Sequence, residues 1–213
     1  MNKKDFLWGL ALAIIITFLL YPTTHVLFIN FNGLHPYLAG FLKFALLATL
    51  GDLLAARIVS GDWKMPNGLF FRMAIWGFLG MVIVIIFNIF AGGVTIALSK
   101  GLLPFNGSNL AFAFFTSAIM NMTFAPTMMA FHRFTDTYAD FKFTEKKENI
   151  TIDMIANKID WNSFVSFVII KTVPLFWIPA HTITFLLPAE YRVLAAAFLS
   201  IALGAILSFA KRK

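Results

Sequence analysis

Apolar residues gather into six stretches, at 6–29, 38–59, 73–98, 108–131, 162–186 and 189–210, with short polar segments between them. Each is about the ~20 residues that an α-helix needs to cross a hydrocarbon core. Backbone groups inside a bilayer must pair within their own segment, so the pattern predicts helices rather than strands. The expectation is an all-α polytopic bundle of six transmembrane helices, one integral membrane domain over residues 1–213. The intervening segments alternate in charge. One set holds Lys3 and Lys4, then Arg57, Lys64 and Arg72, then Arg133, Lys142, Lys146, Lys147 and Lys158, and finally Lys211, Arg212 and Lys213. These are thirteen of the 17 basic residues; the opposite side keeps only Lys100 and Arg192, while Lys43 and Lys171 fall within spans. An excess this lopsided places both termini in the cytoplasm or its equivalent.

Composition strengthens the membrane reading. The chain is 60% hydrophobic and 13% charged, with 26 phenylalanines, which is not the balance of a soluble core. The sequence pI near 9.8 follows from basic residues standing where topology wants them, so nucleic acid is not implied. An electrostatic preference for anionic lipid is the modest addition. The first stretch is longer than a typical signal-peptide core, and no small-x-small cleavage site follows Tyr21-Pro22. No cysteine occurs, which removes disulfides, thiolate metal sites and cysteine nucleophiles.

The hydrophilic insertion, a cytoplasmic loop at about 132–161, mixes both charge signs. Ile152, Ile155 and Ile159 follow Thr151, a suitable N-cap, at a spacing that shares one helical face. A short amphipathic helix is expected, lying on the interface or capping the bundle. Proline punctuates the spans at Pro22, Pro126, Pro174 and Pro179. Each removes a backbone donor, so Pro126, Pro174 and Pro179 mark helix kinks, and the fifth helix is expected to lose regular bonding between Ile170 and Pro179.

Six polar residues within the spans are candidates for a pore or cavity lining: Asp52, Lys171, Asn88, Asn121, His181 and Thr184. Asp52 lies ~10 Å and Lys171 ~13 Å from the basic side at 1.5 Å per residue. Their depths are similar and their charges opposite. An unpaired charge in hydrocarbon costs at least ~2.5–3.5 kcal/mol, so pairing or water access is expected. Either they line a pathway, or they form an ion pair that fixes helix register. The uncharged members, with Thr123, serve as a lining or only as hydrogen bonds between helices. Lys43 is near enough to a helix end to snorkel. His25, His35 and His181 group near the outer face, but without ligand spacing, so no metal site is read there. Gly77, Gly80 and Gly92-Gly93 in the third stretch, and Gly204 with Ser208 in the last, are small residues suited to close helix approach. HExxH, GxSxG, GxGxxG and P-loop patterns are all missing, so neither an enzyme nor a cofactor is indicated.

A set of short blocks occurs in fixed order: His35-Pro36; Gly51-Asp52-Leu53-Leu54; Arg72 and then Gly80; Phe124-Ala125-Pro126; and Trp177 through Arg192, reading WIPAHTITFLLPAEYR, before a helix ending in a basic tail. Over roughly 34–213 this order resembles the Mpv-seventeen family, which includes the twenty-two-kilodalton peroxisomal membrane protein. Pro188-x-x-x-Arg192 with its aromatic-rich helix is the most specific part. The chain departs from the family in several places. Met120-Asn121 stands where the family has Asp-Gln, the Gly-Pro…His-x-Trp-Tyr block is missing from 85–92, and His181 and Thr184 replace Gln and Asn. The first helix is additional to the family's usual four spans. The chain looks like a distant member, and its Met-Asn-Lys-Lys start and lack of cysteine fit a bacterial one. The resemblance implies an integral membrane protein of mitochondrial or peroxisomal type proposed to be a channel for small solutes. For this chain, location in a bacterial cytoplasmic membrane is expected, or in an organellar one in a eukaryote.

The function expected is a channel or facilitator for small hydrophilic solutes. The alternatives are a solute-binding transporter subunit dependent on a partner ATPase, and a membrane scaffold with a filled interior. The partners implied are the lipid bilayer and a small-molecule solute; a homo-oligomer stays open. The topology is tested by labelling. Cysteines introduced at Asn2 and Lys213 should react alike with an impermeant reagent and a cysteine at Asn106 should react from the other side; termini labelled from opposite sides would overturn it.

Overall fold

The computed structural model describes residues 3–210, with side chains to Ile206. The tail cations at 211–213, Asn2, and the side chain of Ser208 lie outside the described residues, so the sidedness and small-residue expectations that include them are untouched. Among the described residues the chain is all helix, with no strand. We number the helices α1 (Lys3–Leu20), α2 (Pro22–Leu34), α3 (Pro36–Ser60), α4 (Leu69–Ser99), α5 (Asn109–Thr123), α6 (Ala125–Thr144), α7 (Ile152–Lys158), α8 (Trp161–Leu186) and α9 (Ala189–Ala210). Four of them, α3, α4, α8 and α9, are long and apolar enough to cross a membrane, and the count rises to six if the bent pairs α1–α2 and α5–α6 are each one span.

The first expected span, 6–29, is not one straight helix. It bends by 82° between α1 and α2. Pro22 lacks the N–H that would reach Phe18 O, and Tyr21 before it takes an extended conformation (φ −70°, ψ 127°). Side chains satisfy the freed carbonyls: Thr24 Oγ1 donates to Phe18 O at 2.5 Å, and His25 Nδ1 donates to Leu19 O at 2.8 Å. That tautomer leaves His25 Nε2 to accept from the Tyr191 hydroxyl at 3.0 Å, which ties the elbow to α9. The break at Phe124 is milder, 45° between α5 and α6. Pro126 sits at the start of α6, where a missing N–H costs no helical bond. α6 then continues well past 131, so much of the expected loop at 132–161 is helix.

In α8, the segment Phe164–Trp177 winds as a π-helix around Pro174, and α winding resumes from Ile178 through Leu186 with Pro179 in its first turn. This is far longer than the single-turn bulges in which π winding is usually met. The wider ladder keeps donors paired across the prolines; Ile178 N–H, for example, reaches Val173 O.

α3 is the centre of the bundle, packed mainly against α4 and α9. At its glycines the contact reaches backbone. A Cβ on Gly80 would lie 2.3 Å from Gly40 O, and one on Gly40 would lie 2.8 Å from Gly80 O. On the other flank a Cβ on Gly51 would lie 3.0 Å from Ile201 Cα, while Gly204 approaches Gly51 O and Ala55. That register makes α3 and α9 parallel neighbours. Gly92 and Gly93 differ from the expectation: nothing lies within 4 Å of either position, so they hold no helix contact. The far half of the bundle is filled by Leu47, Ala113, Phe185, Ala196 and Ala197. α1 runs antiparallel to α3, with Asp5 paired to Arg57 at 2.9 Å and Trp8 Nε1 donating to Leu50 O at 3.0 Å. Large apolar side chains cover the outward flanks, among them Phe70, Ile89, Leu110 and Leu175.

At the basic end α7 closes the bundle. Thr151 Oγ1 accepts from Met154 N–H, and Ile155 and Ile159 are buried against Phe141. Ile152 points outward instead and is 73% exposed. Of the two expected roles for this helix, capping is carried by two isoleucines and leaves the third free for the interface.

The glycine contacts make a quantitative test. Gly80→Ala should destabilise the protein by ~1–3 kcal/mol, because the new methyl group meets backbone that cannot step aside. Gly92→Ala, with open space, should stay within ~0.5 kcal/mol of wild type. Unfolding in detergent measures both, and equal effects would contradict the packing described.

Candidate functional site

Below the filled half, α3, α4, α5–α6, α8 and α9 enclose a cavity of about 340 Å³. Its charged end lies toward the basic loops, where Arg133 and Asp136 reach it from α6. Arg72, from the first turn of α4, forms ion pairs with Asp136 and, at 2.6 Å, with Asp140. Those two carboxylates stand four residues apart on α6, one turn from each other, so a single guanidinium can serve both.

One turn further in on α4, Trp76 Nε1 donates to Asp52 Oδ2 at 2.8 Å. Trp76 also lies against the His132 ring, with centroids 4.1 Å apart. Asp52 is placed here by its neighbour. Gly51 lets α9 approach on one side of α3, and the next side chain, Asp52, lies exposed in the cavity beside Ser200 and Gly204. It makes no ion pair with any described cation.

The deep end is polar in a different way. Asn121 on α5 is 1% exposed and donates to Ser117 O at 2.8 Å. Its carboxamide meets His181 Nδ1, with Nδ2 at 3.1 Å and Oδ1 at 3.2 Å. Ser117 Oγ donates across the interface to Ile178 O at 2.7 Å, in the turn where α8 returns to α winding. Trp177 stacks on His181 at 5.1 Å. Its ring is buried and lines the cavity, yet its Nε1–H has no partner. An unpaired buried donor costs ~1–3 kcal/mol, and among the described residues lining this cavity it is the one fully buried side-chain group without a partner.

Of the residues singled out in the sequence, Asp52, Asn121 and His181 come together on this cavity. Lys171 does not. It is exposed on the flank of α8 and forms no pair with Asp52. Equal depth brought the two charges to one level, but the helix face, which depth cannot give, turns the lysine away. Asn88 is also outside the cavity, exposed on α4 and donating to Val84 O at 2.7 Å. Thr184 is buried but off the lining, its hydroxyl held by Ala180 O at 3.0 Å. The three outer histidines do not cluster: His25 bonds Tyr191, His181 bonds Asn121, and His35 packs on Phe31. Trp76, His132, Asp136 and Trp177 were missed. The spacing of His132, Asp136 and Asp140 carried a signal, since four-residue steps share a helix face, but only for a helix extended past 131.

A larger hollow, about 630 Å³, lies between the α1–α2 elbow and α3. Its walls are apolar except for Lys43 and Asn32, whose amide is buried and unpaired. It gathers one lysine and one amide among apolar side chains, against the several polar groups of the central cavity, so the central cavity is the candidate site. No family model, no curated protein and no solved structure matches the chain.

Replacing Trp177 with benzothienylalanine keeps the bicyclic ring and exchanges the orphan N–H for sulfur. It should raise the stability of the empty protein by about 1 kcal/mol, the opposite of most core substitutions. Thermal unfolding in detergent measures this, and a destabilised variant would mean that the N–H is already satisfied.

Proposed function

We propose that this protein is an integral membrane facilitator for small hydrophilic solutes, with the central cavity as its solute site. The observation that carries the reading is the orphan Trp177 N–H together with an Asp52 carboxylate that forms no ion pair, both lining one unfilled space. A scaffold gains nothing from such a space, because cavities and orphan donors both lower stability. The resemblance to the Mpv-seventeen family points the same way. In this reading the bent pairs α1–α2 and α5–α6 each count as one crossing, giving six, and the basic loops and both termini face the cytoplasm.

The solute enters at the charged end, where Arg133 and Asp136 line the cavity. The other end is closed: Phe185 and Phe87 pack at 4.9 Å, and the Arg192 guanidinium lies over the rings of Phe112 and Phe185 at 5.5 and 5.6 Å. Passage therefore requires this aromatic layer to open, which makes the protein a gated facilitator rather than an open pore. The same closure favours the second reading, a binding subunit that passes its ligand to a partner ATPase.

Reconstitution separates the two. Purified protein in liposomes should move a small polar solute down its gradient without nucleotide. Ser200→Phe, which fills the cavity beside Asp52, should abolish that flux in a protein that still folds. Retention of a solute without any flux would favour the ATPase-dependent subunit and defeat the facilitator.

A further inference from the structure

We infer that the central cavity binds a small organic cation, an amine or quaternary ammonium group, held by Asp52. The claim that this ligand is also transported rests on the facilitator reading; the binding claim does not.

Charge is the first argument. At the mouth Arg72 pairs with both Asp136 and Asp140, and Arg133 lines the cavity without an ion pair among the described residues. With Asp52 further in, these five groups sum to one net negative charge. A carboxylate offers about four acceptor positions, and the protein fills one of Asp52's with the Trp76 N–H. Inside a membrane such a group needs a partner of opposite sign or water. Lys171 points elsewhere, and Arg72, one turn from Trp76 on α4, is engaged by Asp136 and Asp140.

The walls decide which kind of cation. Phe44, Phe87, Phe124, Phe164 and Trp177 line the same space. Ring faces attract a cation that is poorly hydrated and carries an apolar body. Met120, Met128 and Met129 add adaptable, polarizable surface around them. A divalent metal ion would need six or so oxygen ligands, and Asp52 is a lone carboxylate at its level. An anion would have to displace carboxylates already held by Arg72 and then face Asp52.

The deep end refines the ligand. Trp177 Nε1–H, on a ring only 9% exposed, is a donor with no acceptor. An oxygen on the end of the ligand away from its charge would satisfy it. The cavity, about 340 Å³, is at the small end of the ~300–1,000 Å³ typical of small-molecule sites, which suits an amino alcohol rather than a large drug-like cation.

Choline and its neutral carbon isostere, in which a tert-butyl group replaces trimethylammonium, make the discriminating pair, since they share shape and hydroxyl. Binding to the full-length protein in nanodiscs, read by tryptophan fluorescence and calorimetry, should favour choline by about tenfold or more. Asp52→Asn should cut the preference severalfold, leaving what the ring faces supply, with the isostere's affinity unchanged. Equal binding of the two probes by wild type would overturn the inference, as would an Asp52→Asn variant that keeps the full preference, or no binding of choline up to its solubility. The wild-type comparison decides the matter even if the variant does not fold. Choline bound but not moved in liposomes would sink the facilitator and leave the cation site standing. Flux of uncharged polyols with no preference for choline would do the reverse.

Discussion

The bundle depends on backbone meeting backbone along α3. Hydrocarbon offers helices no hydrophobic reward for associating, so close approach and dispersion must supply it. Gly40 and Gly80 bring α3 onto α4, and Gly51 and Gly204 bring α3 onto α9. With both flanks of α3 drawn in, α5–α6 and α8 complete the ring, and the central space follows from how far each pair can close. Near Phe185 the side chains fill it. Near Asp52 they do not.

At two irregularities in the chain, neighbouring groups take over the lost bonding. Lipid leaves no alternative, because an unpaired backbone group there is costly. At the elbow Thr24 and His25 take the carbonyls that Pro22 abandons. In α8 the ladder widens around Pro174, and Ser117 from α5 bonds the carbonyl of Ile178. The second adjustment has a consequence for the site. The turn that Ser117 holds places Trp177 and His181 beside Asn121, so the polar deep end of the cavity is a product of the proline-distorted helix.

The polar groups around the cavity divide into satisfied and unsatisfied ones. Arg72 with two carboxylates is a satisfied cluster and reads as a structural clasp between α4 and α6. Asp52 with one hydrogen bond and Trp177 with none are unsatisfied, and both face the same space. A cavity that combines aromatic walls, an unpaired carboxylate and an orphan donor is shaped for a ligand with charge at one end and an acceptor at the other.

The sequence by itself determined that the chain is helical, which apolar segments are long enough to cross, and that basic residues concentrate in alternate loops. These follow from composition and length, which act locally. It also nominated Asp52, Asn121 and His181, because polar residues in apolar helices are costly wherever they point. Tertiary structure alone decided which of them meet. Lys171 and Asn88 were as good candidates by depth and polarity, yet their helix faces turn them out of the cavity. Trp177 and Trp76 were invisible among the aromatics until packing showed one donor orphaned and the other on Asp52. The 82° elbow was signalled by Pro22, but the bend's size came from its new partners, Thr24, His25 and Tyr191. Spacing along a chain fixes height in the membrane; rotation about the helix axis is set only by neighbours, and a site is made of rotations.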